Sequence, residues 1–167
     1  MLSEKLLKEM NDQIKYEMFS ANLYLAMSAY AAEQQMDGFS HWFKIQADEE
    51  NFHAMKFFGF INEMGGRVKM QALDEPKNDF ESVEELFAYG LEHEKFVTSR
   101  IHLLMNIAMD ERDHNSISFL KWFVDEQREE ENSFDNHLRT LKRFGKDVMF
   151  HMDKELGTRV FVPPAAE

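Results

Sequence analysis

Apolar side chains recur along this chain at alternating steps of three and four residues, the spacing that keeps a stripe on one face of an α-helix. Four long stretches carry such a stripe. The first runs Leu6, Met10, Ile14, Glu17, Ala21, Tyr24, Ser28, and the second Phe39, Phe43, Gln46, Glu50, His53, Phe57, Phe60, Met64. The third runs Val83, Phe87, Gly90, Glu94, Val97, Ile101, Leu104, Ala108, and the fourth Leu120, Phe123, Gln127, Glu130, Phe134, Leu138, Leu141. Helix-breaking punctuation falls between them. Asp37-Gly38 is expected to end the first helix, begun near Ser3, and Gly65-Gly66 to end the second, begun near Phe39. Ser82, followed three residues later by Glu85, reads as a capping box opening the third. Asp113, His114 and Asn115 separate the third helix from the fourth, which runs to Gly145. A short amphipathic piece, Lys146 to Leu156, precedes a Pro-containing tail.

Four amphipathic helices of this length make a four-helix bundle, so the expected fold is all-α. Residues 1–145 are read as the bundle and 146–167 as a short C-terminal helix and tail. The first and third connections are a few residues each, which makes each pair an antiparallel hairpin. The middle connection, Arg67 to Glu81, stretches to on the order of 50 Å. A helix of about 27 residues is roughly 40 Å long. The loop is therefore expected to cross the whole bundle and set helices two and three parallel.

Composition removes several function classes. The 167 residues suit one domain with a sizeable core, and only 3 Pro and 7 Gly interrupt it. A formal net charge of −12 argues against nucleic acid as a partner, because neutralising phosphates needs clustered Lys and Arg. The same charge is compatible with attracting cations. With no cysteine, disulfides, Cys-ligated zinc and Cys-ligated iron–sulfur clusters are excluded. Glu4 and Glu9 interrupt the N-terminal apolar residues, so no signal peptide is read there. No stretch approaches the roughly 20 apolar residues of a membrane span. A cytoplasmic location is the expectation.

The polar residues on the stripes carry the chemistry. The two hairpins are copies offset by 77 positions, which pairs Glu17 with Glu94, Glu50 with Gln127, and His53 with Glu130. Packed about a pseudo-twofold axis, the copies bring these six residues to one level of the bundle. An ionised carboxylate in the interior costs several kcal/mol even after relaxation. Four at one level also repel one another unless they are protonated or bridged by cations. Carboxylates with imidazole suit iron or manganese, and dinuclear carboxylate bundles use lone Glu residues with Glu-x-x-His motifs. Positions i and i+3 share a helix face, so Glu50 and His53 can converge on one ion. The other six histidines, at positions 41, 93, 102, 114, 137 and 151, miss the repeat register and are read mostly as surface residues.

Glu17, the Glu49-Glu50-x-x-His53 run, Glu94 and the Glu126-Gln127-x-x-Glu130 run together resemble the ferroxidase centre of prokaryotic non-haem ferritins. The resemblance covers essentially the whole chain. It implies a first iron held by Glu17, Glu50 and His53, with Glu50 bridging to a second iron held by Glu94 and Glu130 beside Gln127. It implies a third site on the cavity-facing flank, at Glu49, Glu126, Glu129 and Glu130. Tyr24, two turns from Glu17 on the same face, resembles the tyrosine that lies beside such centres; on spacing alone it is equally a core tyrosine. Iron storage, oxidation of Fe²⁺ by O₂ or H₂O₂, and a cage of 24 copies with the short helix near its fourfold axes are also implied. The sequence shows only that 146–156 is amphipathic, which suits a cap on its own bundle equally well.

Bacterioferritins resemble the symmetrical template, with Glu-x-x-His in both hairpins and a haem-binding methionine. Here the second motif is Gln127-x-x-Glu130 and Phe52 precedes His53, so no haem is expected. The main alternative is a di-iron carboxylate peroxidase or oxygenase without a storage role. A DNA-binding mini-ferritin and a metal-free helical interaction module are weaker readings.

Overall fold

The computed structural model describes residues 1–164; the last positions of the expected tail, 165–167, lie outside the described residues. Five helices follow in order: α1 (Glu4–Glu33), α2 (Asp37–Glu63), α3 (Val83–Asp110), α4 (His114–Phe144) and α5 (Lys146–Leu156). No described helix is long and apolar enough to cross a membrane.

The helix starts have local causes. Ser3 Oγ accepts from the Leu6 amide at 3.0 Å and Ser82 Oγ from the Glu85 amide at 3.1 Å, each satisfying an amide that has no partner within its helix. The Glu85 carboxylate reaches back to the Glu81 amide, one residue before the cap, so the box expected here is present in shifted form. Asp113 caps α4, and His114 and Asn115 already lie inside that helix rather than between helices.

Asp37-Gly38 corrects the expectation more sharply. It opens α2 instead of ending α1, which stops at Glu33 before a turn with Gln35 at φ 60°. Met36 offers no side-chain cap. The donors are met from a distance, because Asp153 Oδ1 on α5 accepts from the Gly38 amide at 2.8 Å and the Phe39 amide at 3.1 Å. A Cβ on Gly38 would sit 1.6 Å from the Asp153 carbonyl oxygen. Glycine is thus required there for close approach of α5, not for chain termination.

The long connection crosses the bundle as expected, and its contacts trace the route. Arg67 and Lys69 bond Asn11, Gln71 bonds Asp12, Lys15 pairs with Asp74, and Phe80 meets Tyr30 edge-on at 5.6 Å. The loop therefore runs along α1 from one end to the other and returns the chain for α3 to run parallel to α2.

Every residue of the four stripes is buried except Phe60 and Met64, which are half-buried. The apolar ones fall into two clusters rather than one. The first, toward the α5 end, is dominated by aromatic rings: Tyr24, Phe39, Trp42, Phe43, Phe87 and Phe134. Gly90 makes room for it, since a Cβ there would lie 2.2 Å from the Phe134 ring. The second packs Leu6, Met10, Ile14, Val97, Ile101 and Leu104 with Phe57 and Phe123. Between them lies a layer of buried polar side chains.

Candidate metal centre

All four long helices contribute to that layer. Glu17 comes from α1, Glu50 and His53 from α2, Glu94 from α3, and Gln127 and Glu130 from α4; each is at most 5% exposed. The expected convergence of six polar residues on one level of the bundle is what the side chains show.

On the α1–α2 side, Glu17, Glu50 and His53 present ligand-type atoms all within 4.8 Å of one another. His53 Nδ1 stands 3.6 Å from Glu50 Oε2 and 4.0 Å from Glu17 Oε2. Both gaps are too long for hydrogen bonds. Glu17 Oε2 and His53 Nδ1 have no hydrogen-bond partner among the described residues, although both are fully buried. Leaving such atoms bare costs about 1–3 kcal/mol each. Two ligands each about 2.1 Å from one ion lie roughly 3–4 Å apart, so a cation fits this gap where a proton does not. The other oxygen, Glu17 Oε1, accepts from Gln13 Nε2 at 2.8 Å, which fixes the carboxylate plane.

The α3–α4 side is arranged differently. Glu94 accepts from the Tyr24 hydroxyl at one oxygen and from Gln127 Nε2, at 3.0 Å, at the other. Glu130 Oε2 accepts from Gln46 Nε2 at 2.7 Å. A second potential ligand group joins Glu130 to His53 and Glu126, with His53 Nε2 standing 3.9 Å from Glu126 Oε1. His53 thus faces two ligand groups with its two nitrogens. Glu94 belongs to neither group. On the flank, Glu49, Glu126, Glu129, Glu130 and Ser133 line a concavity of about 220 Å³ together with Arg159, which the sequence reading did not single out.

Burial dominates the protonation of the layer. It pushes Glu50 and Glu130 well above the usual carboxylate range, helped by the charges of Glu94 and Glu17 on Glu50 and of Glu94 and Glu50 on Glu130. Burial also raises Glu94, to about 7, against the opposing hydrogen bonds from Tyr24 and Gln127. Tyr24 is raised well above its ordinary value by burial and then by the charge of Glu94, so it remains a phenol and a donor. A cation entering the layer must therefore expel protons, and its binding strengthens with pH.

Sequence reasoning left four contributors unassigned. Gln13 and Gln46 sit one turn before Glu17 and Glu50, and that i, i+4 spacing was a readable signal. Thr98, 3.3 Å from Gln127 Nε2, lies one turn after Glu94. Arg159 lies past the last helix, where no periodicity points to it. Among the remaining histidines, His102, His114 and His151 are exposed as expected, but His41, His93 and His137 are half-buried. His93 Nε2 lies 2.7 Å from Ser20 Oγ, and burial lowers its pKa to about 4.

A family model described as "Ferritin-like domain" matches residues 7–144. A bacterial non-heme ferritin of Staphylococcus aureus (strain MRSA252) is 44% identical over 163 residues, covering 96% of this chain and 98% of that protein. One from Staphylococcus haemolyticus is 41% identical with the same coverage. Among solved structures, an open pore ferritin from the hyperthermophilic archaeon Archaeoglobus fulgidus superposes with a TM-score of 0.93 at 43% identity, covering 95% of this chain and 98% of that one. A humanized archaeal ferritin gives a TM-score of 0.96 at 42% identity, over 98% of this chain and all of that one. A helical bundle cut by a buried carboxylate layer, matched nearly end to end by such relatives, places the chain in the ferritin family.

Proposed function

We propose that this chain is an iron-storage subunit that oxidises Fe²⁺ in its carboxylate layer and passes Fe³⁺ to a ferric mineral inside a cage of like subunits. The observation that carries the reading is the bare pair Glu17 Oε2 and His53 Nδ1, buried and 4.0 Å apart. Glu17, Glu50 and His53 hold the first Fe²⁺ substrate. Glu50 bridges to the second, which Glu94 and Glu130 hold with Gln127 beside them. Each Fe²⁺ gives up one electron, and O₂ or H₂O₂ accepts the pair. The protein contributes position and negative charge, and the carboxyl protons displaced on binding leave to solvent. Tyr24 donates its hydroxyl to Glu94, and its phenol would supply a third electron to O₂ beyond the pair from iron. Glu49, Glu126, Glu129 and Glu130 form the flank through which oxidised iron leaves. The assembly is a homo-oligomer of 24 copies in the cytoplasm, with 1–145 as the bundle that holds the centre and 146–167 as its C-terminal helix and tail.

The test is Fe²⁺ loading in air with stopped-flow absorbance. The wild type should show a fast phase and then take up far more than two irons per chain, in a particle whose light scattering fits a 24-mer. Glu50→Ala removes the shared ligand and should slow the fast phase at least about 100-fold. Oxidation at the wild-type rate in Glu50→Ala would reject the dinuclear assignment, and uptake that stops at two irons would reject storage.

A further inference from the structure

Past α5 the chain turns back along α2, and Arg159 reaches the flank of the centre. Its Nη2 donates to Glu49 Oε2, while its Nη1 donates to Gln46 Oε1 at 2.8 Å and to the Trp42 carbonyl at 3.4 Å. The guanidinium also lies 4.5 Å from the Trp42 ring centroid. Two residues on, Phe161 packs edge-on against Phe52 at 5.7 Å and pins this segment to α2. The side chains of Arg159 and Glu49 are only 22% and 15% exposed, so solvent screens the pair weakly.

The setting gives this contact a consequence for metal traffic. Four carboxyls and one guanidinium line the same small concavity, and the cation is paired with Glu49, the only one of the four that comes from α2. An ion that enters the flank and seeks Glu49 meets a site already neutralised. The fork geometry of arginine makes displacement feasible: Nη2 can leave Glu49 while Nη1 keeps Gln46 in place. Gln46 matters because its Nε2 faces Glu130 at 2.7 Å and Glu50 at 3.5 Å, so the centre need not be disturbed when the flank fills.

We infer that Arg159 is a resident counter-cation of the flank, occupying Glu49 until a divalent ion displaces it and thereby keeping that ion loosely held. Arg159 is a positioning residue in this role, and the inference rests on the iron-handling reading above. A loosely held flank ion is a passing one, which is what export from the centre to a mineral requires.

The test uses full-length metal-free protein titrated calorimetrically with Zn²⁺, which cannot be oxidised. Wild type should bind two ions tightly per chain and a third weakly. The readout is the third ion: Arg159→Gln should tighten it roughly tenfold, the order expected when a charge a few ångströms away in partly screened surroundings is removed. Arg159→Lys keeps the charge and should stay near wild type, whereas a role in fold stability alone would move melting temperature and not the third ion. Third-ion affinity in Arg159→Gln equal to or below wild type overturns the inference. Should that variant fail to fold, a Zn²⁺-saturated crystal of the wild type decides. Zinc at Glu49 with Arg159 swung aside supports the displacement; flank zinc beside an intact Arg159–Glu49 contact, or a flank without zinc, overturns it. Loss of the two tight ions in the wild type would sink the reading of the centre itself, and the flank inference with it.

Discussion

In the half of the centre supplied by α1 and α2, a carboxylate oxygen and a ring nitrogen stand 4.0 Å apart, neither hydrogen-bonded among the described residues. In the half supplied by α3 and α4, Glu94 has both oxygens engaged, by Tyr24 and Gln127, and Glu130 has one engaged by Gln46. The two halves come from hairpins in matching register, so backbone position does not account for the difference. Side-chain identity does. Where the first copy has Glu50 and His53, the second has Gln127 and Glu130. Gln127 is neutral and carries donors, so it satisfies Glu94 instead of competing with it for a cation. An ion entering the first half meets an oxygen and a nitrogen without hydrogen-bond partners among the described residues, while one entering the second must share Glu94 with the phenol and amide already bonded to it. On the proposed reading this asymmetry should order the two ions, the first site filling first and holding harder.

The largest test erases the difference. The double variant Gln127→Glu with Glu130→His restores an acid and an imidazole to the second half. Retention of two irons against a brief chelator challenge should rise roughly 10–100-fold, and sustained mineral growth should slow. Equal retention and equal growth in the two proteins would make the asymmetry incidental.

A smaller effect sharpens the comparison through pH. Glu94 in the closed half has a folded pKa raised to about 7 from an ordinary 4.5. The folded state therefore binds more protons than the unfolded state between those values, and stability falls as pH rises through that window. The contribution is full below about 4.5 and gone above about 7, on the order of 1–3 kcal/mol for this group. Burial of His93, lowered to about 4, works in the opposite sense below about 6.5, so the test is a difference: Glu94→Gln, neutral throughout, should lose less stability than wild type between pH 5.5 and pH 7.5. Saturating Zn²⁺ at pH 7.5 should recover the loss. A slope unchanged in metal-free Glu94→Gln would contradict the assignment.

The smallest effect separates centre from flank. Glu129 is exposed and belongs to neither buried group of potential ligands. Glu129→Ala should leave the first fast turnover within about twofold of wild type, since surface changes away from buried networks rarely matter more, and alter only later turnovers. Loss of the initial burst would show that the flank takes part in the first oxidation.

The stripes made most of this legible in advance. A residue at a stripe position had to be buried, and a buried Glu had to be accounted for, so Glu17, Glu50, Glu94 and Glu130 followed from spacing and electrostatics alone. The failures came where local signals have two meanings. Gly38 reads as a helix breaker, yet it serves the close packing of α5, a contact that spacing along one helix cannot reveal. Asp113 marks a helix start, but how much of the following sequence belongs to the helix depends on its cap. Arg159 was invisible because nothing periodic surrounds it and its partners lie more than a hundred residues earlier. Spacing also could not show that His53 would face two ligand groups, since that depends on ring orientation.

The cap that Asp153 places on Gly38 and Phe39 ties the order of synthesis to the order of folding. The two amides at the start of α2 leave the ribosome 115 and 114 residues before the carboxylate that receives them. At about 5–20 residues per second, that wait is roughly 6–23 seconds. During it the first turn of α2 would have these donors open to water, leaving the α1–α2 hairpin with one uncapped end. The last of the described helices is thus the one that closes the first hairpin, and a chain that stops short of residue 153 leaves α2 without this clamp.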